Sequence, residues 1–480
     1  MRFGSLGMTA LAALAAAVPV RGQDDELAKL RAAAAKQKED ETKNLPERVA
    51  ALEKKLAEVR PESGHGFRVY WKEGLFLESA DKNFKFQFGG RLFVDTVFIN
   101  AENDLENRKP STETPKIGPQ EDYADFRAAR LFFAGTMYDR IEYKAEFDFS
   151  EGSTTPPAGG LGGTPAAFKD VYIGVNKIPV IGNFRVGHYK EWFSMEELTS
   201  SRFIPFMERG LPNVFAPSRN LGASIFNAVL DERLTWAAGV FRDTDNYSRN
   251  LGDGDYVGTA RLTGLPWCSD EGKYLWHLGV AYTTRSPTTA GGAAAGTAGS
   301  SNTIRLRQRP EAHDTSRFVD TGILTNCEDD DRLGFETAAV LGRWSVQGEY
   351  MANWINRRAA INDDLTFNGW YMMGSVFVTG ESRTYKKSAG TFDRNRPFNN
   401  FMNGEGGTGA IEILARYSNV DLISGDIDGG RMNNYTFGIN WYLNPMTRLM
   451  VNYTHSTVEH RGEGELGDAD IFGVRFQVDF

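Results

Sequence analysis

Residues 84–98 read FKFQFGGRLFVDTVF, and their alternation decides the fold. Phe84, Phe86, Phe88, Leu92, Val94, Thr96 and Phe98 fall on one face at a period of two. Lys85, Gln87, Arg91 and Asp95 fall on the other. An apolar face toward lipid and a charged face toward water is the pattern of a transmembrane β-barrel strand.

The pattern returns along the chain. Ile141, Tyr143, Ala145, Phe147 and Phe149 oppose Glu142, Lys144, Glu146 and Asp148. Leu234, Trp236, Ala238 and Val240 oppose Arg233, Thr235 and Gly239. A soluble sandwich would need its charged faces outside and a sealed core within, so repeated charge on one face favours a water-filled barrel. The last strand, Phe472, Val474, Phe476 and Val478 with Arg475 and Gln477 opposite, ends on Phe480, in the manner of an outer-membrane assembly signal.

Composition agrees. No run of about 18 apolar residues occurs beyond the N-terminus, so the chain is expected to lack membrane-spanning helices. Its 51 glycines and 12% aromatics suit many strands, tight turns and interfacial girdles. With 54 basic against 63 acidic residues, a net charge of -9 argues against nucleic acid as a partner. Cys268 and Cys327 are the only cysteines, and their spacing leaves a bridge open.

Short turns are expected at Asp139-Arg140, Gly342-Arg343 and Asn444-Pro445. Long loops are expected at Asn100–Glu121, Ser150–Ala167, Ser286–Asn302 and Glu459–Gly467. About sixteen strands, sixteen to eighteen, result, and 304–325 and 380–408 resist counting.

The N-terminus differs in kind. Residues 1–22 read as a signal peptide, with Arg2 ahead of the Ala/Leu-rich stretch Leu6–Val20. Residues 23–60 read as a periplasmic helical segment. Leu45, Val49, Leu52, Leu56 and Val59 carry a coiled-coil seam, and a solvated amphipathic helix is the alternative. Residues 61–66 form the linker and 67–480 the barrel.

One stretch breaks the alternation. Between the strand ending at Lys190 and Arg219 lie Pro205, Pro212 and Pro217, which bar a long helix or central strand. Only Met195–Leu198 suits a helical turn. A loop of this length rich in aromatics is functional rather than disordered, and we expect it to fold into the lumen and narrow the channel.

The run EELTSSRFIPFMERGLPNVFAPSRNLG (196–222), with FVTGESRTY (377–385), GAIEILARYSN (409–419) and TFGINWYLNP (436–445), resembles the phosphate- and polyphosphate-selective porins of bacterial outer membranes. The resemblance covers roughly residues 67–480. It implies a trimeric barrel of about sixteen strands passing anions through a pore lined by arginine and lysine.

The candidate pore-lining, anion-binding residues are Arg91, Arg127, Arg130, Arg185, Lys190, Arg202, Arg209, Arg219 and Arg261. A guanidinium stays charged and offers forked donors to phosphate oxygens. Each is weighed against pairing with a carboxylate, and Glu196, Glu197 and Glu208 stand beside Arg202 and Arg209. Arg127 and Arg130 lie three apart in FRAAR, so without a bulge only one reaches the lumen. Arg305, Arg307 and Arg309 alternate with Ile304 and Leu306, as on one face of one strand. The acidic run 329–331 is expected outside the pore, solvated rather than calcium-binding.

No metal ligand set, no cofactor and no catalytic residue is expected: the six histidines lack metal spacing and GxSxG is absent. The function expected is an outer-membrane porin, not an enzyme, giving passive diffusion of small hydrophilic solutes. Anions such as phosphate would be preferred. Its partners are small anionic or neutral solutes, outer-membrane lipids, two further copies in a homotrimer, and the cell wall through the N-terminal helix. The rival readings are a non-selective or weakly cation-preferring porin, a barrel enzyme and an envelope tether.

Overall fold

The computed structural model describes residues 66–111, 114–150, 166–248, 256–287, 303–358, 363–402, 404, 406–462 and 464–480. The expected signal peptide, helical segment and linker lie outside these apart from Gly66, as do most of the loops expected at Ser150–Ala167 and Ser286–Asn302.

Alternating apolar and polar side chains make each segment two-faced, and a membrane forbids open sheet edges. The sheet solves this by closing on itself. Sixteen antiparallel strands form the wall, beginning with Phe84–Ala101, Tyr123–Met137 and Ile141–Asp148. The sixteenth, Gly464–Asp479, pairs with the first along Ala469–Asp479 against Arg91–Ala101. A hairpin, Phe67–Trp71 with Leu75–Ser79, occupies the remaining edge of the first strand at Lys85–Phe88. Hairpin and barrel together make an eighteen-stranded sheet, of which sixteen strands close the wall.

Phe480 completes the seam. Gly90 N–H donates to the Phe480 carbonyl at 2.7 Å, and Phe480 N–H donates to the Gly90 carbonyl at 3.0 Å. A Cβ on Gly90 would stand 2.7 Å from both the Arg130 carbonyl and the Phe480 ring, so only glycine fits.

The two faces separate as the alternation requires. Leu92, Val94 and Phe98 are exposed on the outside, while Arg91, Phe93 and Asp95 are buried inside. The short turns fall where expected, between strands ending at Met137, Leu341 and Asn444 and those starting at Ile141, Trp344 and Thr447. The loop expected over Glu459–Gly467 is corrected. The ladder persists to His460 opposite Gly464, so the strands run on through most of the expected loop. Cys268 and Cys327 are free thiols.

Three segments leave the wall and bond to lumenal side chains. Residues 191–218 connect the fifth strand (Gly182–Lys190) to the sixth (Arg219–Val229). Arg91 donates to the Ser201 hydroxyl, Arg475 to the Met207 carbonyl, Arg448 to the Ile204 carbonyl and Asn440 to the Pro205 carbonyl. These anchors come from the first, sixteenth, fifteenth and fourteenth strands, so the segment crosses the lumen. Its helical turn Met195–Leu198 is capped by the Ser194 hydroxyl, which accepts from Glu197 N–H.

Residues 303–326 enter from the end bearing the long loops, before the tenth strand (Cys327–Leu341). Leu306, Phe318, Val319 and Leu324 share a buried apolar cluster with Ile355, Phe367, Val420 and Leu422 of the wall. Residues 378–409 enter from the short-turn end, between the twelfth strand (Leu365–Phe377) and the thirteenth (Ala410–Ser424). So these regions resisted counting because they are not wall strands. The arginine strand expected at 305–309 is corrected too. Arg307–Gln308 forms a two-residue ladder with Val319–Asp320, Arg305 pairs with Asp320, and Arg309 donates to the Thr315 carbonyl.

Candidate functional site

The site assembles from strand parity. Arg91 lies opposite Arg130 across the first and second strands, and Lys190 lies opposite Arg219 across the fifth and sixth. Like charges directly opposed destabilise a sheet, and carboxylates offset the cost. Arg91 donates to Glu146 at 2.7 Å, with Arg130 at 3.7 Å from the same oxygen and at 2.6 Å from Asp148. Arg219 pairs with Asp170 at 2.7 Å and Lys190 with Glu197 at 3.2 Å.

Arg127 and Arg130 both reach the lumen. The ladder passes from Phe93–Ala128 to Val94–Phe126, leaving Arg127 as the extra residue of a bulge. Arg127 then grips Glu208 of the inward segment at 2.6 and 3.0 Å. Arg475, directly opposite Asp95, makes a bidentate bond to it at 2.7 Å and reaches Glu208 at 3.0 Å.

Seven of the nine expected residues therefore line one cavity of about 160 Å³: Arg91, Arg127, Arg130, Lys190, Arg202, Arg209 and Arg219. Lys144 and Arg475 join them, making nine basic lining residues against two acidic ones, Asp170 and Glu208. A larger space of about 930 Å³ continues it toward the short-turn end, sharing Lys190, Arg202 and Asp170. Arg185 lines that space, held by Glu142 at 2.8 Å with its guanidinium 4.0 Å from the Tyr172 ring centre.

Arg261 is placed elsewhere. It is buried on Glu336 and capped by the carbonyls of Ala389 and Gly390, so it lines neither space. The expected local pairings also change partners. Arg209 pairs with Glu197 at 3.0 Å, Arg202 approaches Asp479 at 3.5 Å, and Glu208 serves Arg127 and Arg475.

Pairing does not make the cavity neutral, because only two of the carboxylate partners, Asp170 and Glu208, reach its lining. Arg127, Lys144, Lys190, Arg202, Arg209 and Arg219 keep 12–20% of their side-chain surface. Glu146, Asp148, Glu197, Asp95 and Asp479 keep 0–4%. Those five carboxylates stand behind, while Asp170 and Glu208 share the front with the cations at 21% and 19%. Burial alone would raise the Glu208 carboxyl, but Arg127 and then Arg475 outweigh it and hold it well below the usual carboxylate range. Glu197 is likewise lowered, with Arg209 and Lys190 overcoming burial. Both remain anions that orient the cations around them.

A family model described as phosphate-selective porin O and P matches residues 103–480. The chain belongs to that family. This porin is 27% identical over 434 residues to Porin O of Pseudomonas aeruginosa, covering 85% of this chain and 91% of that one. Among solved structures, the outer membrane channel DcaP of Acinetobacter baumannii matches 84% of the chain and 99% of its own, at 11% identity and a TM-score of 0.49. The anion-selective porin from Comamonas acidovorans matches 83% and 100%, at 11% identity and a TM-score of 0.48. Family and fold are those of outer-membrane channels.

Sequence reasoning passed over Lys144 and Arg475 in this porin, although parity had set both on the polar face. It also misplaced the middle residue of the acidic run 329–331, while Asp329 and Asp331 stay on the opposite face. That run lies in the tenth strand, and Asp330 is buried in the lumen on Arg332 and Asn353.

Proposed function

We propose that this porin lets small hydrophilic solutes diffuse passively across the outer membrane, with weak to moderate preference for anions such as phosphate. Residues 191–218 form the constriction. One observation carries the reading: the narrow cavity is lined by nine basic side chains and two acidic ones. Forked guanidinium donors at that level can replace part of an anion's hydration shell as it passes.

The preference is modest because seven carboxylates pair with those nine cations, leaving a small excess. Screening limits each charge to about 8–10 Å at physiological salt, so the acidic total of the chain matters less than position. The zero-current potential of the full chain in a planar bilayer under a salt gradient tests the reading. A potential on the anion side is expected, and one on the cation side overturns it.

The same reading makes the assembly a homotrimer. The outer wall exposes a concave apolar face including Leu262, Val280, Phe335 and Met372, which suits burial against another barrel. Cross-linking in native membranes should yield trimers. The segment 23–60 is read as a periplasmic helix able to contact the cell wall, and residues 1–22 as the signal peptide.

A further inference from the structure

Outside the cavity described above, one buried cluster is built around a carboxylate that the constriction does not use. Glu311 sits at the tip of the inward segment 303–326, and its side chain is 1% exposed. Its oxygens take three donors from the barrel wall. Arg416 Nη2 donates to Oε2 at 2.6 Å, Thr436 Oγ1 donates to the same oxygen at 2.8 Å, and the Ser418 hydroxyl donates to Oε1. Arg416 and Ser418 lie two apart on the thirteenth strand, on one face. Thr436 lies directly opposite Arg416 on the fourteenth strand (Ile427–Asn444). The wall, a rigid element, therefore presents the donors, and a connecting segment supplies the anion.

Two of the three wall donors keep partners besides Glu311, and Thr436 Oγ1 meets Thr454 Oγ1 at 3.2 Å. Arg416 also donates to the Glu208 carbonyl at 3.0 Å, approaches Glu196 at 3.4 Å and stands 4.3 Å from the Phe206 ring centre. Its position is set by the constriction segment, so the socket would keep its shape if Glu311 left. Glu311 is held differently. It has φ of 60°, a left-handed conformation that a side chain other than glycine adopts at a cost. Leu306, Phe318, Val319 and Leu324 anchor the base of the segment in apolar packing, whereas at the tip one small side chain, Ala312, packs on Val97, Met207, Met450 and Ile471 and the rest of the hold is polar. The space beside Glu311 is about 20 Å³ and shares Met207 and Glu208 with the basic cavity of about 160 Å³. The socket thus adjoins the route through the constriction.

We propose that Arg416, Ser418 and Thr436 form an oxyanion-binding site beside the pore, filled in this structure by the tethered carboxylate of Glu311. Permeating oxyanions occupy it when the tip of 303–326 withdraws. A carboxylate and a phosphate present the same pair of acceptor oxygens, so both classes of solute fit. This rests on the reading that anions enter the pore. It adds a second, loop-controlled site whose occupancy competes with an internal ligand.

The test measures chloride current through the full-length porin in planar bilayers, titrated separately with inorganic phosphate and with acetate. Glu311→Gln removes the internal anion, and phosphate should then inhibit chloride current at about tenfold lower concentration than in the unaltered porin, the scale of one charge-assisted hydrogen bond. Acetate inhibition that gains equally marks a general oxyanion socket, and a gain confined to phosphate marks a phosphate site. Adding Arg416→Gln to Glu311→Gln should abolish the gain. Should that variant fail to assemble, Ser418→Ala with Thr436→Val in the Glu311→Gln background serves instead. Unchanged oxyanion sensitivity in Glu311→Gln, or a gain that survives loss of the wall donors, overturns the proposal. The zero-current potential of the unaltered porin tests the anion preference separately, so the two failures are distinguishable.

Discussion

The two sides of the lumen use the same residue types to opposite ends. On one, Arg127, Lys144, Arg202, Arg209 and Arg219 keep 14–20% of their side-chain surface around an open cavity. On the other, Arg261, Arg285, Arg332 and Arg416 keep 1–9%, sealed by Glu336, Glu191, Asp330 and Glu311. Both sets face the lumen and have carboxylate partners. What differs is the chain folded over them: residues 389 and 390 cap Arg261, the Phe215 carbonyl caps Arg332, and Glu311 fills the socket at Arg416. A lumenal arginine borders an open cavity on one side and is sealed under the inner chain on the other, and access to water makes the difference.

The largest effect should come from breaking a sealed pair. Arg261→Ala leaves Glu336 buried without its cation and should cost about 3–5 kcal/mol of barrel stability. Urea titration of the folded, heat-modifiable band should show the loss, with little change of ion selectivity in the channels that do form. Arg261→Gln combined with Glu336→Gln should recover most of that stability. If Arg261→Ala shifts selectivity and spares stability, the contrast between the two sides is wrong.

The open side should respond in the reverse sense. Replacing Arg202, Arg209 and Arg219 together with Gln should move the zero-current potential from the anion side to zero or beyond. Each single change should contribute roughly a third if their charges act independently. The wall should still assemble, because its ladder of main-chain bonds does not run through these side chains. An unmoved potential would break the comparison from this side.

A change remote from both sides sharpens it. Phe480→Ala keeps the main-chain seam to Gly90 but removes the terminal ring, and should lower the amount inserted without altering single-channel conductance. Changed conductance would mean that the seam shapes the pore.

The smallest effect concerns pH. Glu208 and Glu197 are held below the usual carboxylate range, so both stay ionised as pH falls from 8 to about 5. Burial, and Arg127 after it, push the His313 imidazole down, which favours its neutral form. The zero-current potential should therefore stay nearly constant there. Deeper acidification would protonate the carboxylates and move it further to the anion side. A drift toward cation preference on acidification would contradict this.

Much of the wall was legible because a period of two is a local property. Phe84–Phe98 sorts its own side chains into lipid and water faces whatever it pairs with. Parity likewise set Arg91, Lys144, Arg185 and Arg475 on the polar face. Three things were not local. The bulge that brings Arg127 inside beside Arg130 depends on register against Phe93 and Val94. The fate of Arg305–Arg309 depends on where 303–326 docks, since alternation over five residues cannot separate a wall strand from a short internal ladder. Asp330 looked solvated within an acidic run, yet its parity in the tenth strand turns it onto Arg332.

By itself, then, the sequence determined that this chain alternates its faces, closes strands through short turns and carries its positive charge on the water side. Those follow from backbone geometry and the transfer cost of side chains, which act residue by residue. Only the tertiary structure decided which cations stay exposed to water, because exposure depends on segments distant in sequence folding across the lumen. Glu208 meets Arg475 across 267 positions and Glu311 meets Arg416 across 105. No local pattern encodes those encounters; they exist once the barrel brings its walls around the chain within.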